Sequence, residues 1–461
     1  MTPLWRRVSL GMPELWTSIY VWVPELSYND ERSQVVIEMM DAVLDRAAGE
    51  KLHVHVDTDA VAPRETRRFF TLLRSTCADW VSLTLRGTIL YRGGWHDQHY
   101  LGHPIFPEAK DETGFSSLET IDIEDMVTYE YRDKLLKALE NASQLRSIKI
   151  SSYPRKRLLN APVPTFPWSH LTTFESSPAS QPWSFQALSN CPNLRVLVIS
   201  GATPSSHWTT DGFPSVTLRK VQKLRISFRD HNSHYDSGLA DLPTVCQKLN
   251  LPALKDLEVE DVGLNANLDA LLDLIERSKC TVKSLSFAGV TLMDESILRF
   301  LRMMPDVASL ALKGLLFPLI FHAMSSVDLL PNLQHLLVSP PLDSVLPENT
   351  AAAVVDMLKA RSLTAGGLET AFIATHDDPE RGLTAQLTEI PHLKASVRHL
   401  QVEHVVRLSQ PDSFRRLLND IYAVGNRGRK GINILTNVQI LDRMFATMEA
   451  SGNDFSNDCR G

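Results

Sequence analysis

The chain has 461 residues, 43% of them apolar and 22% charged, with 54 Asp and Glu against 47 Lys and Arg for a formal net charge of −7. That composition excludes disordered and fibrous classes, and the acidic balance disfavours binding to phosphate backbones. Five cysteines at least 34 residues apart, with no C-x-x-C, argue against a disulfide framework and a thiolate zinc site, while the longest apolar stretch, Leu315 to Met324, is half a bilayer span. The expectation is a soluble cytoplasmic or nuclear protein that binds neither nucleic acid nor membrane.

In chain order, a helix-like stretch runs from Glu31 to Ala48, followed by the alternating strand Leu52 to Val56, on which His53 and His55 form the polar face. From Trp80 a pattern recurs: an apolar residue, two variable ones, an apolar one, one variable, then an apolar one. Clear copies are Leu118-Ile121-Ile123, Leu145-Ile148-Ile150, Leu194-Leu197-Ile199, Val221-Leu224-Ile226, Leu254-Leu257-Val259, Val282-Leu285-Phe287, Val307-Leu310-Leu312 and Leu333-Leu336-Val338. Weaker copies begin at Trp80, Leu171, Leu368 and Val397. Successive starts from Trp80 to Leu333 lie 38, 27, 26, 23, 27, 33, 28, 25 and 26 residues apart, a spread too narrow for chance.

The intervals contain helix-like segments at Tyr131 to Ala142, Leu239 to Leu249, Asn267 to Ser278, Asp294 to Met304 and Ala351 to Ala360, with Asn267 and Asp294 as plausible N-caps. Arg195 to Ser200 and Leu257 to Val262 read with period two, which argues against purely helical repeats. Strand, loop and helix in series give a parallel sheet backed by helices. Cys191-Pro-Asn-Leu-Arg-Val-Leu-Val-Ile, with near copies at Leu251 and Leu330, resembles the C-P-x-L-x-x-L-x-L opening of the leucine-rich-repeat family. The resemblance covers residues 80 to 440 and is specific from 118 to 340. It implies an α/β leucine-rich-repeat solenoid, with a curved parallel sheet on the concave side, helices on the convex side and a short helical N-terminal cap. Residues 1–60 are the cap, 61–440 the irregular repeats and 441–461 a C-terminal helix and tail.

The order Trp-Arg-x-x-x-Leu-x-x-Pro-x-Leu-Trp-x-x-Ile, carried by Trp5, Arg6, Leu10, Pro13, Leu15, Trp16 and Ile19, resembles the C-terminal half of the F-box in mushroom-type fungal F-box proteins. That resemblance implies docking on a Skp-type adaptor, with the repeats presenting a protein target to a cullin–RING ubiquitin ligase and the chain a monomer outside the complex. The upstream L-P-x-E-[LI]-x-x-x-I-F half is missing, so adaptor binding and a purely capping role stay as alternatives. In the second, the chain is a leucine-rich-repeat scaffold with no ligase link.

Side chains alternate across a strand, so if the pattern leucines point inward, offsets of two, four and six from each start face the concave surface. Among the residues so named, Asp122, Glu124, Lys149, Val196, Val198, Lys223, Arg225, Asp256, Glu258, Lys313, His335 and His399 are the candidate partner-binding set. Val196 and Val198 beside Lys223 and Arg225 would form a mixed apolar and basic anchor. Alternatively, Lys223 and Arg225 pair with Asp256 and Glu258 on the next strand and merely solvate the face.

His96-Asp97-x-His99-x-x-x-His103 and Asp230-His231-x-x-His234-x-Asp236 have metal-ligand residue types but sit in loop-like sequence, so no metal or other cofactor is expected. Asn426 to Gly431 is glycine-rich and basic but lacks the phosphate-loop order, and Pro154 to Arg157 is a short basic run. Cys77, Cys191 and Cys280 precede strand starts, where burial is expected, and no nucleophile or paired-carboxylate motif suggests an enzyme.

Overall fold

The computed structural model describes residues 12–23, 30–47, 49–58, 66–86, 114–124, 137–151, 167–176, 186–200, 215–227, 241–260, 268–289, 294–314, 318–339, 348–362, 368, 370–375, 399–404 and 433–436. They fall into two units, one holding the N-terminal part of the chain to about residue 171 together with the C-terminal segment from Leu408, the other holding Thr172–Arg407.

In the first unit, β1 (Ser18–Val23), α1 (Asp30–Ala47), β2 (Leu52–Thr58), α2 (Thr66–Ser75), β3 (Trp80–Arg86), β4 (Thr120–Glu124) and β5 (Ser147–Ser151) follow in order. The five strands pair in parallel, each with the next. The parallel ladder therefore starts earlier than the leucine pattern, inside the segment expected to be a helical cap. The short strand at Asn433–Thr436 pairs antiparallel with β1, Ile19 opposite Thr436.

The second unit is a ladder of nine described parallel strands, again in sequence order: β6 (Thr173–Ser176), β7 (Val196–Ser200), β9 (Lys223–Ser227), β11 (Asp256–Glu260), β12 (Ser284–Ala288), β13 (Ser309–Lys313), β14 (His335–Ser339), β15 (Thr370–Thr375) and β16 (His399–His404). A separate two-residue pair, β8 (Val216–Thr217) with β10 (Leu249–Asn250), lies outside it. Between the strands stand α3 (Asp241–Lys248), α4 (Asp269–Ser278), α5 (Asp294–Arg302), α6 (Pro318–Met324) and α7 (Glu348–Ser362). Before β7 the described chain closes on a 3-10 turn at Leu188–Asn190. Both units thus have leucine-rich-repeat architecture.

The pattern residues make the core. In all eight clear copies none of the three side chains is more than 3% exposed, so every repeat buries three apolar groups worth about 1.5–3 kcal/mol each. Register between repeats is held just before each strand, where one carbonyl accepts two consecutive amides of the following repeat. Gln222 accepts from Lys255 and Asp256, Lys255 from Lys283 and Ser284, and Lys283 from Ala308 and Ser309, at 2.7 to 3.0 Å. A one-residue slip would break both bonds and turn the leucines outward.

After β12 and β13 the chain turns at Gly289 and Gly314, both at positive φ, and each amide still bonds across to the next strand's end. A Cβ on Gly314 would sit 3.4 Å from the Gly289 nitrogen, an ordinary contact, so it is the left-handed conformation rather than space that asks for glycine at these stacked turns. Arginines in the last turn of two helices close the carbonyl end of a neighbouring helix. Arg277 of α4 donates to the carbonyls of Cys246, in the last turn of α3, and Leu249, just beyond it, and Arg361 of α7 likewise to those of Met324, the last residue of α6, and Leu330. These ends would otherwise leave unpaired carbonyls in the packed layer.

Candidate functional site

With the leucines inward, the alternate side chains of each strand face the other side of the sheet. In the second unit they form three columns, which the register reads directly: Val196, Lys223, Asp256, Ser284, Ser309 and His335 in the first, then Val198, Arg225, Glu258, Ser286, Ala311 and Leu337, then Ser200, Ser227, Glu260, Ala288, Lys313 and Ser339. His399 follows Thr370 at the end of the first column.

The charged residues are organised around two glutamates. Lys223 Nζ lies 3.0 Å from Glu258 Oε2, and Lys313 Nζ reaches 4.0 Å from Glu258 Oε1 from two strands away. Arg225 donates from Nε and Nη2 to Glu260 Oε2 at 2.9 and 2.6 Å. The sequence expectation that Lys223 and Arg225 pair with the next strand is met, but with partners two residues further on. The direct opposites of Lys223 and Arg225 are Asp256 and Glu258, yet both cations lean diagonally along the face to Glu258 and Glu260. Long side chains in a sheet lean along the strand direction, and this brings the heads onto carboxylates out of direct register.

Asp256 is left with no ion-pair partner among the described residues. Burial works against the charge on Glu258, but the Lys223 hydrogen bond and the fields of Lys223, Arg225 and Lys313 outweigh it and hold the carboxyl below the ordinary glutamate range. Burial also opposes the charge on Arg225, and Glu260, Glu258 and Glu175 more than compensate.

One expectation is corrected. Val198 is only 8% exposed and Val196 is half-buried, so the pair is no exposed apolar anchor. Val198 stands in register between Glu175 and Arg225, whose longer side chains shield a small neighbour one strand spacing away. The surface there is polar rather than mixed.

Sequence reasoning also passed over β12. The offset rule applied to Val282 names Ser284, Ser286 and Ala288, but a choice weighted to charge skips them. With Ser309 and Ala311 of β13 they make a low floor between the charged strands and the taller Leu337 and His335. His335 shares a hydrogen bond with Thr370 Oγ1 at 2.7 Å.

The first unit shows the same alternation. Lys149 donates to Asp122 Oδ2 at 3.4 Å, His53 Nδ1 and Ser82 Oγ share a 2.8 Å hydrogen bond, and the Tyr20 and His55 rings lie 5.2 Å apart. Glu124 closes β4, opposite Ser151.

Of the residues carrying the F-box resemblance, Trp5, Arg6 and Leu10 lie outside the described residues. Pro13 opens a 3-10 turn that contains Leu15 and Trp16. Trp16 is buried, with the Arg46 guanidinium of α1 4.7 Å from its ring centre, and Ile19 is fully buried in β1 opposite Val54. These two side chains are built into the core of the first unit.

Cys77, Cys191 and Cys246 are buried and Cys280 partly so. Burial pushes the Cys191 and Cys246 thiols up to about 12 and raises Cys280, which makes them poor nucleophiles. Among the described residues no cluster of His, Cys, Asp and Glu could hold a metal ion, and no helix is long and apolar enough to cross a membrane. The histidine motifs at 96–103 and 231–234, Cys459, and the basic runs at 154–157 and 426–431 lie outside the described residues.

No protein-family model matches the chain, and no curated protein matches it. Among solved structures it is similar to a leucine-rich-repeat protein of Leptospira interrogans, at 10% identity and a TM-score of 0.25, covering 76% of this chain and 84% of that one. The repeat architecture rests on the strand register of each unit rather than on this likeness.

Proposed function

We propose that the chain is a non-enzymatic protein-interaction module that holds a protein target on the solvent-facing columns of β9 to β13. The observation that carries this reading is the arrangement of that face: small serine and alanine side chains beside a group of charged side chains already held by neighbours. Such a surface can accept another chain with little ordering cost, because Lys223 and Arg225 are pre-positioned by their carboxylates. The test is affinity capture with the full chain and with Ser286→Trp, which puts a bulky ring among the charged side chains of this face. Loss of captured proteins with unchanged circular dichroism supports the face; unchanged capture refutes it.

The finer reading is that this module serves as the substrate-recognition subunit of a cullin–RING ubiquitin ligase. It is supported by the order of Trp5, Arg6, Leu10, Pro13, Leu15, Trp16 and Ile19. The burial of Trp16 and Ile19 favours the second reading, a repeat scaffold whose N-terminal segment only closes the core. Co-purification with a recombinant Skp-type adaptor decides between them: a stoichiometric complex lost in Pro13→Asp supports the ligase subunit, and no complex leaves the scaffold.

A further inference from the structure

Charge and exposure on the β9 to β13 face are layered. Glu258 and Glu260 are only 13% and 15% exposed, whereas Lys223, Arg225 and Lys313 are 44%, 42% and 46% exposed. The carboxylates lie low against the sheet and the cationic heads stand over them. A partner approaching a face that is nearly neutral by count therefore meets ammonium and guanidinium groups first.

Those groups have donors to spare. The Lys223 ammonium has three N–H groups and meets Glu258 from one side, and Lys313, at 4.0 Å, is beyond hydrogen-bond reach of the same carboxylate. The Arg225 guanidinium spends two of its five donors on a single oxygen of Glu260. The Ser286 hydroxyl is buried beside this group, so a partner meets the cationic heads themselves rather than the strand beneath them.

From this we infer that the face takes an acidic segment of its protein partner, with carboxylate side chains bound by Lys223, Arg225 and Lys313. The inference rests on the protein-binding reading of the face and names the partner's chemistry. A nucleic-acid strand fits less well, because Asp256, without an ion-pair partner among the described residues, stands beside Lys223, and Glu258 and Glu260 lie between the cations, where a continuous run of phosphates would meet them. Glu258 is then the resident competitor: it occupies the position between Lys223 and Lys313 that an incoming carboxylate would take.

The experiment is fluorescence anisotropy of the full chain with a labelled glutamate decamer, alongside a glycine–serine decamer and a deoxythymidine decamer. The expected result is binding of the glutamate peptide alone. Lys223→Ala with Lys313→Ala should weaken it about tenfold or more, while Glu258→Gln should tighten it about threefold, since removing one like charge favours the anion. A purely structural ion-pair group would instead leave affinity unchanged in Glu258→Gln. No glutamate binding, undiminished binding in the lysine double variant, weaker binding in Glu258→Gln, or equal binding of the oligonucleotide would each overturn the inference. Failure here is separable from failure of the protein-binding reading. If Ser286→Trp abolishes target capture while the wild type ignores the glutamate decamer, the acidic chemistry falls and the face stands; if capture survives Ser286→Trp, the face itself falls.

Discussion

Replacing Arg361 by methionine, which keeps the apolar stem and removes the guanidinium, should be among the most damaging single changes in the second unit. Arg361 is 2% exposed in the last turn of α7. Its Nε donates to the Met324 carbonyl at 2.8 Å, Nη1 to Leu330 at 3.0 Å, and Nη2 to Ser326 at 2.9 Å and to Leu329. The acceptors are the end of α6 and the turn leading to β14, where Leu330 takes a positive φ.

Four bonds from a charged donor at about 1.5–3 kcal/mol each would overstate the loss, because burial of the guanidinium is itself costly and lowers the affinity of Arg361 for its proton. Arg361→Met leaves neutral carbonyls without donors, at about 1–3 kcal/mol each where water does not reach them, so a net loss of about 3 kcal/mol is expected out of a total stability of about 5–15 kcal/mol. Urea denaturation of the full chain measures it, and hydrogen exchange should place the loosened amides in α6 and at 325–330. Arg361→Lys should recover less than half, since one ammonium cannot reach four carbonyls. A loss below about 1 kcal/mol in Arg361→Met would refute the assignment of this arginine as the link between the two helices.

Leu257→Asp places a carboxylate at a fully buried position between Leu224 and Leu285, and thermal melting should show loss of the neighbouring repeats rather than a small shift. Glu258 has a carboxyl held below its unfolded value, so its contribution is present above about pH 4.3 and is lost as pH falls through the folded value; the stability gap between wild type and Glu258→Gln should be flat from pH 7 to 5 and close below that, as read by urea midpoints. Cys191 and Cys246, with thiols raised to about 12 by burial, should resist alkylation at pH 8 in the folded chain and react once it is denatured, by peptide mass mapping.

The repeat units were legible because each strand has the same three inward positions: a run such as Leu254-Leu257-Val259 names its own register, and the solvent columns follow by alternation. Lateral detail was not. The diagonal pairing of Arg225 with Glu260 depends on how long side chains lean, and the shielding of Val198 depends on neighbours contributed by β6 and β9, which no single repeat contains. Arg361 gave no signal either, since an arginine near a helix end is ordinarily a solvated surface group and its acceptors lie more than 30 residues away. β1 was obscured because Trp16 and Ile19 fitted a helical resemblance, although the alternation of Ile19 and Val21 marks a strand.

The central claim is that a protein partner occupies the solvent-facing columns of β9 to β13 and not the helical side. Lysine acetylation footprinting of the chain with and without its captured target tests it most directly, because Lys223 and Lys313 lie on those columns while Lys279 follows α4. The prediction is protection of Lys223 and Lys313 with Lys279 unchanged. Protection of Lys279 with Lys223 and Lys313 still fully reactive would contradict it.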